Sequence, residues 1–172
     1  MNLEHIIALV KCNKKPKTTP PVPPDPAIEF PHSENAALFT RLKEDAKVAD
    51  PEKEPMWVMG GYETRTHYDL IPILFALVTE GGVRKGYAYG RPVLAAPNGV
   101  VFAYASGTHY IFFKLREGKF DAARQDGGRF DPSYGKDWIE FRVGGRGGSS
   151  SDWQEAMRRW ARISYEDSLG IG

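Results

Sequence analysis

The chain has 172 residues, a net charge of +1 and 41% hydrophobic content. That length suits one ordinary domain with extra segments, large enough to bury roughly two-thirds of its unfolded surface. The near-zero charge excludes a dedicated polyanion binder as a whole; the single cysteine, Cys12, excludes an internal disulfide or a multi-cysteine metal site; and no apolar run reaches the roughly 18 residues of a membrane span.

The start, MNLEHIIALVKC, puts acidic Glu4 before its apolar patch and basic residues after it, the reverse of a secretory signal. The expectation is a soluble, cytoplasmic protein. Leu3 to Val10 suits two helical turns. Lys11 to Pro31 then holds seven prolines. Proline blocks helix and disfavours a central strand, so 11–31 is expected to be extended and polyproline-like. Residues 1–32 are read as a proline-rich arm, either a plain linker or a docking peptide, and 33–172 as one domain.

Ser33 to Val48 reads as a helix with Ser33 as N-cap, because Leu38, Leu42 and Ala46 recur four apart beside Phe39. Asp69 is placed to cap a second helix, LIPILFALVTE, with Pro72 in its first turn and Gly81 and Gly82 as its stop. The run Leu70 to Val78 is apolar enough to be buried on most sides. Next come RKGYAYG, RPVLAA, VVFAYA and HYIFFKL, rich in aromatic and β-branched residues and separated by short turns. Asn98-Gly99 is a hairpin signal in which both residues accept positive φ. Such short links make an antiparallel meander, not a βαβ unit. Phe120 to Gln125 suits a short helix, RFDPSYGKD a loop, and Trp138 to Val143 one more strand. A last helix opens at Ser151 with the capping-box spacing Ser151-x-x-Gln154. Trp153, Met157, Trp160 and Ser164 form its core stripe. The fold class is therefore α+β: an antiparallel meander sheet packed against helices, with a proline-rich N-terminal extension.

The order from Tyr68 to Ser168, and above all the tract GTHYIFFKLREGKFDAARQDGGRFDP, resembles the TfoX N-terminal domain family and its YjbR/MmcQ-like relatives. The shared features are a glycine-bearing strand, two aromatic strands with the second ending in Lys-Leu, a small helix, a G-x-x-F-x-P loop, a strand and a terminal helix. The chain departs in its long proline-rich start and in having GYAYG where the family carries MFGG. The resemblance implies an α+β fold and a binding or regulatory role, and it carries over no catalytic residues.

No histidine has a metal-ligand spacing, and there is no nucleophile elbow, phosphate loop or dinucleotide fingerprint. No cofactor, metal or catalytic residue is assigned. Two candidate sites remain. The Gly-rich loop 144–151 feeds a helix N-terminus, so Gly145, Arg146, Gly147, Ser150 and Ser151 suit an anion. Arg142, Arg158, Arg159 and Arg162 suit a partner or polyanion face; residues 81–172 hold 14 Lys+Arg against 10 Asp+Glu. Glu155 stands where it can pair with Arg158 or Arg159. The expected function is a non-enzymatic module acting through protein–protein contacts. The alternatives are a nucleic-acid-associated protein using the arginines, or a small enzyme binding an anionic ligand at the loop.

Overall fold

The computed structural model describes residues 22–52, 57–144 and 150–171, with Ser150 and Ser151 as backbone only. The helix expected at Leu3–Val10, most of the arm, Cys12 and the loop residues Gly145, Arg146 and Gly147 lie outside the described residues.

The architecture is α+β. Six antiparallel strands form the main sheet: β3 (Arg84–Ala88), β4 (Arg91–Ala95), β5 (Val101–Ser106), β6 (Tyr110–Lys114), β7 (Arg129–Phe130) and β8 (Trp138–Arg142). Their spatial order is β3-β4-β5-β6-β8-β7. The expected meander is thus present, and β8 adds to its far side. A small hairpin, β1 (Val58–Met59) and β2 (Tyr62–Glu63), stands apart. Five helices complete the described chain: α1 (Pro26–Glu29), α2 (Ala36–Glu44), α3 (Leu70–Phe75), α4 (Phe120–Gln125) and α5 (Ser150–Leu169).

Both faces of the sheet are covered, which is why strands such as RPVLA and VFAYA are apolar at nearly every position. One face packs Val93, Ala95, Tyr104, Phe112 and Trp138 under Phe30, just past α1, and under Leu38, Phe39 and Leu42 of α2. The other packs Leu94, Phe102, Phe113, Ile139 and Phe141 under α3 and α5. On α5 the expected stripe holds: Met157, Trp160 and Ser164 are buried and Trp153 is partly so.

The β4–β5 turn falls on Pro97–Gly99, the PNG of the sequence, but Asn98 does not take the positive φ expected of it. Only Gly99 has positive φ, and Gly99 N donates to Ala96 O while Ala96 N donates to Val100 O. This is a three-residue loop, a turn followed by a left-handed glycine. One step further in, the register shifts by a residue: Leu94 faces Ala103 but Ala95 faces Val101. Phe102 is the extra residue of a β-bulge, so Phe102 and Ala103 both join the α5 side. Ser164 Oγ lies 2.7 Å from the Phe102 carbonyl and 2.6 Å from that of Lys114. Its one hydrogen serves these in turn and keys α5 to the bulge. The β3–β4 turn is Tyr89-Gly90, with φ of 50° and 79°. A tyrosine is costly in that left-handed state. It is held there because its ring packs edge-on against Phe39 and Tyr62.

Other boundaries differ as well. Ser33 does not cap the first long helix. His32 Nδ1 accepts from Glu34 N in a short 3-10 turn over Ser33–Asn35, and α2 runs only from Ala36 to Glu44. Asn35 is instead the joint: its amide donates to the carbonyls of Phe30 and Gly99, both at 2.9 Å, and accepts from Val101 N at 2.8 Å. The C-terminal end of α2 is held by buried Arg91, which donates to Leu42 O and pairs with both carboxylate oxygens of Asp45 at 2.9 and 2.7 Å. The second helix stops at Phe75, five residues short of the expectation, and Asp69 makes no capping bond. Leu77 N bonds back to Leu74 O, and the chain turns at Glu80 into β3. Only Leu70, Leu74 and Val78 of the apolar run are buried, a stripe rather than all sides.

The described end of the arm corrects the expectation for 11–31. Asp25 accepts from Ala27 N and caps the four-residue α1, with Pro26 at its first position, where the missing N–H is harmless. Phe30 is 1% exposed. Its ring lies over β3 at Gly86, where an added Cβ would come within 2.6 Å of Phe30 Cζ.

Candidate binding site

Trp138 to Arg142 pairs along its whole length with β6, but β7 covers β8 only at Glu140 and Ile139. The reason is local. Gly127 has a φ of +92° and Gly128 N bonds to Ala123 O at the end of α4. A Cβ on Gly128 would sit 2.7 Å from Ile139 and 2.8 Å from Phe141. The chain therefore arrives from α4 underneath Phe141 and joins the sheet only at Arg129.

Beyond that point β8 has an open edge among the described residues. Val143 N donates to His109 O at 2.7 Å, which fixes the odd-numbered residues as those facing β6. Alternate residues of an antiparallel strand address opposite neighbours. The N–H and C=O of Arg142 therefore point away from β6, to the side where β7 has ended. A cavity of about 520 Å³ opens there and wraps the sheet edge. Tyr110, Arg129, Glu140 and Arg142 line it from one face; Trp153, Ala156 and Met157 of α5 line it from the other, with Asp126 and Asp152. Asp126 is engaged by Arg159 and by Trp160 Nε1 at 2.9 Å.

Glu140 is the unusual group. It sits mid-strand between Ile139 and Phe141, and it is 3% exposed. Arg129 stands opposite it in register, with Nε 2.6 Å from Oε1, but off the line a hydrogen bond needs. Burial pushes the Glu140 carboxyl above the usual carboxylate range, and the Arg129 charge opposes that shift. The sign follows from linkage. A folded-state pKa above the unfolded one favours folding while the acid is protonated, and that contribution is lost as pH rises. Glu140→Gln should therefore gain stability relative to wild type as pH is raised from 4 to 7, with the divergence opening near the ordinary value of 4.5. Glu34 shifts the opposite way through its bond to Lys114, but it is common to both proteins and cancels. Parallel melting temperatures across that range would contradict this account.

The four arginines expected to form one face are divided. Arg142 lines the cavity at the β8 edge. Arg158, Arg159 and Arg162 line a separate groove of about 590 Å³ between α5 and the turn after α3, together with Thr79, Glu80 and Glu155. Arg159 pairs with Asp126, and Arg162 Nε lies 3.1 Å from Glu80 Oε1. Ser150 and Ser151 start α5, and their side chains are outside the described residues. Among the described residues no helix is long and apolar enough to cross a membrane. Sequence reasoning missed Glu140, Arg129 and Tyr110. The signal was present but weak: a lone acid in a strand between the apolar residues Ile139 and Phe141.

No family model, curated protein or solved structure matches this chain.

Proposed function

We propose that this chain is a cytoplasmic, non-enzymatic binding module of the TfoX N-terminal type, working through protein–protein contacts, and that its contact surface is the open edge of β8. The observation that carries this reading is the outward N–H and C=O of Arg142 beside a cavity that flanks the edge on both faces. An extended segment of a partner can continue the line of β7 there, gaining main-chain hydrogen bonds from the edge and side-chain contacts from the two flanks. The polyanion alternative draws less support, because Arg159 and Arg162 already face carboxylates and stand apart from Arg142.

Arg142→Pro tests the reading. Proline removes the outward N–H but not a bond to β6, and edge positions tolerate it. Short Val/Thr-alternating peptides should bind the wild type in a fluorescence polarisation titration and lose binding to R142P, whose thermal unfolding should stay close to wild type. Equal binding to R142P would refute edge pairing.

A further inference from the structure

Resting on that reading, we infer that the segment bound at the β8 edge carries an acidic side chain opposite Arg142 and an apolar one next to it. The register supplies the argument. Continuing β7 beyond Arg129 places one residue directly across from Arg142 and in line with Arg129, on the same face. Directly opposed Cβ atoms lie about 4.5–5.5 Å apart. That residue therefore faces the Arg142 guanidinium, while Arg129, two positions along the same line, is engaged by Glu140. Both arginines are well exposed at their strand positions, so neither is sealed from a ligand.

Glu140 does not cancel this attraction. Its carboxylate is buried beneath Arg129 and addresses that one group, so Arg142 is left facing outward into the cavity. A carboxylate can take two parallel bonds from a guanidinium, which a lysine cannot offer or receive. The neighbouring residue of the segment points to the other face, because side chains alternate along a strand. There it meets Trp153, Ala156 and Met157. The acids on that side do not invite a cation. Asp126 is held by Arg159 and Trp160, and Asp152 sits in the first turn of α5, where the helix end favours a negative charge. The recognised chemistry is thus an extended acidic–apolar alternation in a protein partner.

The test uses the full chain and three fluorescein-labelled peptides that alternate Val with Glu, Gln or Lys. The Val/Glu peptide should bind tightest, roughly tenfold or more over Val/Lys, the ratio expected for one charge-assisted contact. Arg142→Gln keeps the outward N–H and removes the charge, so it should level the three peptides while retaining binding. R142P should abolish all three. Equal affinities for wild type, or a preference for Val/Lys, overturn the acidic specificity while edge pairing stands. No saturable binding of any peptide overturns both. Self-association of the chain that R142P prevents, with no peptide bound, also overturns it and assigns the edge to a second copy.

Discussion

Trp160→Ala should lower the unfolding free energy by about 3–5 kcal/mol, the range for removing a buried aromatic. Trp160 is 3% exposed and sits between α5 and the sheet, with its ring stacked on Phe141 at 6.3 Å. Three losses coincide. The packing of the indole is replaced by a cavity, the stack on Phe141 disappears, and Asp126 loses the Nε1 donor at 2.9 Å. The last of these is the smallest, because Asp126 keeps Arg159 and contact with solvent. Trp160→Phe separates them: it retains most of the volume and should cost far less than the alanine variant. In a chain of this size each kcal/mol moves Tm by roughly 2–4 °C. A Trp160→Ala melting temperature within a degree or two of wild type would show that α5 does not hold the sheet.

Phe30→Ala should cost a similar amount, about 3–5 kcal/mol, although the residue lies inside the segment that composition marks as a tether. Its ring lies on β3 in the space that Gly86 leaves open, and Arg84 stacks over it at 5.1 Å. Its carbonyl accepts from Asn35. Truncating the side chain empties the slot beneath α1, and among the described residues of the arm the other large apolar side chains, Val22 and Ile28, face solvent. Chemical denaturation of the variant, followed by tryptophan fluorescence, measures the loss. A cost below about 1 kcal/mol, the scale of a surface change, would return this part of the chain to the status of a linker.

These two residues show how unevenly the fold can be read from the sequence. Trp160 was legible because a helix advertises its buried face at a fixed period, and Trp153, Met157, Trp160 and Ser164 keep that period over three turns. The meander was legible from its aromatic and β-branched runs and the short turns between them, since both of its faces are covered. Phe30 was not, because its burial depends on a glycine more than fifty positions away. Local pattern holds no trace of that pairing. Prolines nearby pointed to an extended chain, yet one proline at the first position of a helix is compatible with it. Tyr89 was hidden in a different way. Its backbone state contradicts its own preference and is imposed by Phe39 and Tyr62 from elsewhere in the chain. The candidate site was the least legible part. Arg142 was singled out for its charge, but the direction of its main chain, set by the β6 register and by where β7 stops, leaves no mark in its own segment. Glu140 escaped notice because burial of a strand residue is decided by its neighbours in the sheet, not by its own segment.

The Asn35 joint determines how this molecule can vary over evolutionary time. Its three bonds reach only main-chain atoms, the carbonyls of Phe30 and Gly99 and the N–H of Val101. Every residue has those carbonyls and every residue but proline has that N–H, so substitutions at Phe30 and Val101 that keep the backbone in place leave the bonds intact. Position 35 itself has no such latitude. Aspartate has the shape but lacks the donors, and would turn a carboxylate toward two carbonyl oxygens. Serine is too short to serve three groups. Mutational drift is therefore absorbed on one side of the joint and refused on the other. In any set of diverged copies of this chain, the asparagine should stay fixed while Phe30 and Val101 change within the demands of their own packing; Gly99 is restrained by its left-handed φ and not by the bond.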